Sequence, residues 1–264
     1  MAQRRLGFWR RFAVGLVLPV MTVWTKRTWI GLENIPATGG VIIVPNHASH
    51  FDPLVVAHYI YGARRWPRFL GKASLWKVPV MGPFLRKVQQ IPVERGSVEA
   101  VKSLDALVEA INADGVVVIY PEGTTTRHPD LWPMRGKTGA VRIALETGVP
   151  LIPAAHWGAQ KILPRWGRRI SLFPRKTVDI IIGEPLDLSR WQGRQLDAKA
   201  LAEATLFVMQ AITALLEGLR GEKAPAERWD PAEHGQTEFG RIRERKKPKA
   251  PTTAPNPQNP QKPA

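Results

Sequence analysis

The sequence predicts an α/β fold: a layered domain with a mostly buried central sheet flanked by helices, preceded by an N-terminal helical segment. Two patterns predict it. Short, β-branched apolar runs alternate with longer segments whose apolar residues recur at helical spacing. Ahead of the first run lies an apolar stretch bracketed by arginine and lysine. At 264 residues and 44% hydrophobic, the chain is long enough for one substantial domain with appendages and too apolar to be wholly disordered.

In chain order, Arg4, Arg5, Arg10, Arg11, Lys26 and Arg27 bracket the apolar residues Phe12 to Trp24, and no acidic residue precedes Glu33. A bilayer span needs about 20 apolar residues, and Gly15, Pro19 and Thr22 interrupt this stretch. Thr22-Val23-Trp24-Thr25-Lys26 is a poor signal-cleavage site. Residues 1–30 therefore read as a membrane-associated helical segment lying in the interface, with arginines at the headgroups. An ordinary helix packed on the domain is the plainer alternative, and the two are compatible.

Val41–Val44 reads as a buried strand that stops at Pro45. Asp52 and Pro53 then read as the N-cap and first residue of a helix. Further strands are expected at Arg68–Gly71, Val88–Val93, Val116–Tyr120, Leu151–Ala154 and Val178–Ile182, with helices over Val98–Asn112 and Gly136–Thr147. A last amphipathic helix over Asp197–Leu219 closes a domain spanning residues 31–221. From Glu222 the hydrophobic pattern fades. From Arg241 the chain is basic and then rich in Pro, Gln and Asn, so 222–264 reads as a disordered tail.

Charge narrows the partners. Lys and Arg number 38 against 22 acidic residues, a net +16, which calls for an anionic partner: nucleic acid, an acidic membrane surface or a phosphorylated substrate. The absence of cysteine excludes disulfides, thiolate nucleophiles and Cys-based metal sites.

Three strand ends carry polar groups and a fourth strand has prolines on both sides, and in open α/β sheets ligands sit at strand ends. The first, Asn46-His47-Ala48-Ser49-His50-Phe51-Asp52, sets a His and an Asp five apart across a strand-to-helix turn. Histidine is the usual base near neutral pH, and a carboxylate behind it fixes its tautomer. The second is Ile91-Pro92-Val93-Glu94-Arg95, the third Tyr120-Pro121-Glu122-Gly123-Thr124, and the fourth Val149–Pro153. Other signals carry less. Arg135-Gly136-Lys137-Thr138 lacks the earlier glycine of a P-loop, because Leu131 stands there. His47 and His50 make at most half a zinc site, and Ser49 lacks the context of a nucleophile elbow. His156, like His58, His128 and His234, reads as surface or satisfied packing.

These four blocks, in this order and spacing, resemble those of the 1-acylglycerol-3-phosphate (lysophosphatidate) acyltransferases and their glycerophosphate acyltransferase relatives, over roughly residues 30–185. The resemblance implies a fatty acyl donor, either acyl-CoA or acyl carrier protein, and a lysophospholipid acceptor. It implies no metal and no cofactor beyond the donor. It makes His47 the general base and Asp52 its partner. Lys72 and Arg95 become candidates for the acceptor phosphate, while Glu122, Gly123 and Thr124 shape the acceptor site. One departure stands out. The family's third block continues Arg-Ser after Glu-Gly-Thr, whereas here Thr125-Thr126-Arg127 follows. Threonine cannot reproduce a bidentate guanidinium, which leaves Arg127, Arg135 or Lys137 to fill the gap, or an acceptor with a different headgroup.

The expectation is an O-acyltransferase that makes phosphatidate from lysophosphatidate in phospholipid biosynthesis. It would be bound peripherally or monotopically to anionic phospholipid on the cytoplasmic face of the cell membrane, with no nucleic acid as partner. The same chemistry on glycerol-3-phosphate or a phosphoinositol mannoside is the near alternative. A basic nucleic-acid-binding protein is the alternative from another class, although no zinc-finger or RNP-like signature supports it. A catalytically inactive lipid-binding relative is a third.

Overall fold

The computed structural model describes residues 7–93, 99–167, 169–193 and 196–236, with 99–104 described in backbone only. Its elements run α1 (Phe8–Trp24), β1 (Thr25–Lys26), β2 (Trp29–Ile30), β3 (Val41–Pro45), α2 (Asp52–Gly62), β4 (Pro67–Lys72), α3 (Met81–Lys87), β5 (Ile91–Val93), α4 (Glu99–Asn112) and β6 (Val116–Val118). Then come α5 (Gly139–Thr147), β7 (Leu151–Trp157), α6 (Ala159–Ile162), β8 (Lys176–Thr177), β9 (Asp179–Ile182) and α7 (Ala198–Arg220). Seven strands form the central sheet in the order β2-β9-β7-β3-β6-β4-β5. Neighbours in it are parallel except β7 and β9. Strands β1 and β8 make a separate parallel pair.

Alternation along β3 divides the core in two. Ile42 and Val44 pack with Leu107, Ile111, Val141, Val208 and Ile212 from α4, α5 and α7. Val41 and Ile43 pack with Val55, Val56, Tyr59, Ala159 and Ile162 from α2 and α6. All five residues of β3 are buried, as expected of a central strand covered on both faces. Each fully buried Val or Ile contributes about 1.5–3 kcal/mol of transfer free energy. The right-hand strands of this layout all run the same way, so the carboxyl ends of β7, β3, β6, β4 and β5 open on one edge.

Several boundaries differ from the sequence expectation, each for a local reason. Asp52 is the first residue of α2, not its cap; Phe51 is the N-cap and makes no side-chain bond. The Asp52 carboxylate instead turns back to accept the N–H groups of Ala48 and Ser49 at 2.7 and 2.8 Å. The expected strand from Val88 begins at Ile91 because Val88 closes α3, its N–H bonded to the Phe84 carbonyl. α5 starts at Gly139: Thr138 is its N-cap and its carbonyl accepts the Arg142 N–H, while the chain before it is tied to Trp229 and Pro121 through the N–H groups of Arg135 and Lys137. Asp197 does cap α7, accepting the Ala200 N–H at 2.7 Å.

The expected tail boundary at Glu222 needs the clearest correction. Residues 222–236 fold back onto the domain: Arg228 donates to the Thr213 hydroxyl at 3.1 Å, and the Trp229 ring stacks on His234 at 3.4 Å. Just before them, the Arg220 guanidinium lies 3.9 Å over Trp132 and 4.3 Å over Trp157. A few arginines and aromatics hold this strap, so no periodic pattern announces it. Residues 237–264, with the basic run from Arg241, lie outside the described residues.

α1 buries Met21, while Phe8, Trp9, Phe12, Leu16 and Val23 are exposed. Among the described helices, α7 alone is long and apolar enough to cross a bilayer. It nevertheless buries Leu201, Ala204, Val208, Met209, Ile212 and Leu216 in the core, as a core helix does.

Candidate active site

The turn between β3 and α2 brings His47 back onto Asp52. His47 Nδ1 lies 2.9 Å from Asp52 Oδ2. Because that oxygen also accepts the Ala48 and Ser49 N–H groups, it acts as an acceptor toward the imidazole, and Nδ1 carries the proton. Nε2 is then left with its lone pair. Asp52 itself is fully buried, whereas the His47 side chain is 13% exposed. One end of the pair is therefore fixed in the protein, and the other reaches solvent.

Glu122, in the turn after β6, holds the backbone of the His47 turn. Its Oε1 accepts the His47 N–H at 2.9 Å, and its Oε2 accepts the Met134 N–H at 3.1 Å. The His47 carbonyl in turn accepts the Thr126 N–H. Burial pushes the Glu122 carboxyl up to about 8, and the nearby Asp52 charge adds to this. The N–H donors of Met134 and His47 and the Thr126 hydroxyl pull it back. A folded-state value above the unfolded one contributes stability below the ordinary carboxylate range and loses it as pH rises toward about 8. Glu122→Gln should therefore melt with a flatter pH dependence than the wild type between pH 5 and pH 8, by calorimetry. Parallel melting curves for the two proteins would rule out a buried, protonated Glu122.

Tyr120 closes one face of the base. Its ring stacks on the His47 imidazole with centroids 4.1 Å apart and planes 24° apart, and Phe69 of β4 continues the stack at 6.4 Å. Burial, then the Asp52 charge, holds the Tyr120 phenol well above its usual range, so it keeps its proton. Gly123 follows in the left-handed region at φ +70°. A Cβ there would sit 3.2 Å from the Lys137 methylenes, so a side chain at this position meets both backbone strain and the lysine.

The structure also joins residues that the sequence left apart. His156, in β7, donates from Nε2 to the Asn46 carbonyl at 2.9 Å, and the same nitrogen lies 3.5 Å from Asp52 Oδ2. Asn46 pairs with the His156 backbone through both its amide oxygen and its amide nitrogen. Burial lowers the pKa of His156, so it remains neutral beside the carboxylate. The one available signal was a lone polar residue inside the apolar run Leu151–Trp157. Its partner lies 110 positions away, a distance that spacing rules cannot bridge.

The residues expected to meet a phosphate separate. Lys72 is exposed at the end of β4, in register with Val93 of β5. Arg95, two positions further on, lies outside the described residues. Arg127 must be corrected: it is 1% exposed, which leaves no surface for a headgroup and makes it part of the framework. Arg135 is turned to Asp230 of the C-terminal strap at 2.8 Å. Of the three basic residues after Glu-Gly-Thr, only Lys137 is exposed and also packs beside Gly123. Thr124 lies on that same turn, half-buried, while Thr125 and Thr126 are 1% exposed. A cavity of about 550 Å³ lined by Ala73, Trp76, Lys77, Arg86, Gln90 and Pro92 opens by the ends of β4 and β5.

An imidazole oriented by a buried carboxylate at the carboxyl edge of an α/β sheet is an arrangement able to accept a proton. The chain belongs to the Acyltransferase family, whose profile matches residues 26–157, from β1 to the end of β7. It is 32% identical over 154 residues to the 1-acyl-sn-glycerol-3-phosphate acyltransferase of Bacillus subtilis, covering 58% of this chain and 70% of that protein. It is 29% identical over 158 residues to the chloroplastic 1-acyl-sn-glycerol-3-phosphate acyltransferase BAT2 of Brassica napus, where the match covers 59% of this chain but 44% of the relative. The 1-acyl-sn-glycerophosphate (LPA) acyltransferase PlsC of Thermotoga maritima shares the fold, with a TM-score of 0.58 and 21% identity over 84% of this chain and 87% of that one.

Proposed function

We propose that this acyltransferase moves a fatty acyl group from acyl-CoA or acyl carrier protein to the free hydroxyl of lysophosphatidate, giving phosphatidate. The observation that carries the reading is the 2.9 Å contact between His47 Nδ1 and the buried Asp52 carboxylate. With Nδ1 bonded to Asp52, Nε2 of His47 takes the acceptor's hydroxyl proton as its oxygen attacks the thioester carbonyl. Asp52 stabilises the imidazolium so formed. When the tetrahedral intermediate collapses, the carbon–sulfur bond breaks and the imidazolium returns the proton to the thiolate that leaves. No enzyme nucleophile is consumed. The names of the Bacillus and Brassica relatives support lysophosphatidate as acceptor.

Lys72, Lys137 and Arg95 are the cations proposed for the acceptor phosphate. Lys137→Ala should raise the acceptor KM by about tenfold and change kcat by less, as loss of a charge-assisted contact to a bound group does. An unchanged KM would remove Lys137 from the site.

A second acceptor is favoured by one observation: the two residues after Thr124 are buried threonines, which offer no fork for a phosphate. A phosphoinositol mannoside, whose phosphate is a diester, would then take the place of lysophosphatidate with the chemistry unchanged; glycerol-3-phosphate, which carries the same monoester, is the other acceptor to test. Acyl transfer by detergent-purified protein, assayed with labelled acyl-CoA against a panel of these acceptors and with His47→Ala in parallel, tests both readings. His47-dependent product from lysophosphatidate supports the first. His47-dependent product from another acceptor alone moves the substrate, and salt-sensitive binding to DNA with no transfer on any acceptor would replace the reading.

We place the enzyme on anionic phospholipid at the cytoplasmic face of the membrane, held by α1. The exposed Phe8, Trp9, Phe12 and Leu16 and the arginines beside them support this.

A further inference from the structure

Two of the stretches of this chain that carry no acidic residue meet in the fold. One runs from the start to Glu33 and holds Arg4, Arg5, Arg10, Arg11, Lys26 and Arg27; the other runs from Glu146 to Asp179 and holds Lys161, Arg165, Arg168, Arg169, Arg175 and Lys176. Residues 150 and 153 positions apart in sequence touch between them. β1 pairs with β8, bringing Thr25 against Lys176. Arg175 donates to the carbonyls of Thr22 and Thr25 at 3.2 and 2.9 Å. The Phe173 ring meets Trp24, at the end of α1, edge-on at 6.4 Å.

The second stretch includes a loop between α6 and β8; among its described residues Leu172 packs on the core while three large apolar side chains point outward. Trp166 is 36% exposed, Ile170 57% and Phe173 73%, while Arg169 and Arg175 are exposed between and beside them. Large apolar side chains interleaved with cations, with no acidic residue in the loop itself, match the interface of an anionic bilayer, where the rings enter the acyl boundary and the arginines meet headgroups. The loop is also rooted on the active site. The Ser49 hydroxyl donates to the Leu163 carbonyl at 2.5 Å, and Arg165 Nη1 donates to the carbonyls of Thr126 and His128 at 2.6 and 2.7 Å.

We propose that the loop 164–175 is a second membrane-docking element, specific for anionic lipid, that extends the α1 surface to the rim of the His47 site. This rests on the membrane reading of α1 given above. Its use is directional: with α1 alone at the interface the domain is free to roll about the helix, whereas a second contact beside it holds the catalytic turn at a set angle to the lipid surface. Continuity with the exposed apolar face of α1, through the contact of Phe173 with Trp24, favours lipid over an acidic protein partner.

The test is binding of the full chain to vesicles rich in phosphatidylglycerol and to vesicles of phosphatidylcholine alone. Wild type is compared with Arg169→Glu, with the double variant Ile170→Ser and Phe173→Ser, and with Phe12→Ser in α1. Each loop variant should bind anionic vesicles about tenfold more weakly and keep wild-type turnover on acceptor dispersed in detergent. Since the chain has no cysteine, Phe173→Cys labelled with an environment-sensitive fluorophore gives an independent readout: its emission should shift to the blue on anionic vesicles, and a label at Glu233→Cys should not. Loop variants that bind like wild type, while Phe12→Ser does not, overturn this proposal and spare the membrane reading. Wild type that ignores vesicles altogether overturns both. A loss confined to turnover with acyl carrier protein, with vesicle binding intact, overturns it in favour of a protein partner.

Discussion

His47→Ala is expected to lower kcat by about 10³-fold or more and to leave the melting temperature close to that of the wild type. The loss follows from the geometry. His47 is the imidazole whose Nδ1 is held by Asp52 and whose ring is partly exposed. Tyr120, stacked against it, keeps its phenolic proton through burial, and His156 is enclosed and bonded to the Asn46 carbonyl. Neither neighbour can take over a proton from a hydroxyl. The fold survives because the turn is tied through groups that alanine retains. Residue 47 still gives its N–H to Glu122 and its carbonyl to Thr126, and Asp52 still accepts from Ala48 and Ser49. The check is kcat with labelled acyl donor beside a thermal melt. Wild-type turnover in the variant would remove His47 from the chemistry, and a large fall in melting temperature would make lost activity uninformative.

The sheet was readable from the runs 41–44, 116–120 and 151–154 because strands buried on both faces are largely apolar. The pairing of His47 with Asp52 was readable because five positions span one tight turn, and a turn is local. What stayed hidden is orientation. Arg127 follows the Glu-Gly-Thr block as closely as the site's geometry could ask, yet its side chain lies buried, whereas Lys137, ten residues further on, packs against Gly123. Spacing gives the order of residues along a loop and says nothing about which way each side chain turns. His156 and the strap at 222–236 were hidden for a second reason: their partners, Asn46 and the Trp132–Arg135 segment, are remote in sequence. Contacts of that kind arise only when the sheet order is known, since β7 lies beside β3.

Asp52→Asn is expected to cost about 10³-fold in kcat with little change in acceptor KM, nearly as much as the loss of the base. The substitution keeps the shape, so the argument turns on where the amide goes. With its oxygen in the place of Oδ2, it still accepts from Ala48, Ser49 and the His47 imidazole. It then brings no negative charge to the imidazolium, and its NH₂ occupies the position of Oδ1, which is buried with no hydrogen-bond partner. An unsatisfied buried donor costs about 1–3 kcal/mol of stability. Flipped, the NH₂ confronts two backbone donors and forces His47 to accept at Nδ1, which moves the ring proton to Nε2, where the base must be free. Either arrangement disables the same step. His156 cannot compensate, because burial keeps it neutral. The double variant His47→Ala with Asp52→Asn should therefore be no slower than His47→Ala alone, since the carboxylate acts only through the imidazole. Additive losses in that cycle would show Asp52 acting on the substrate directly, and an Asp52→Asn protein with wild-type kcat would refute the charge and tautomer argument.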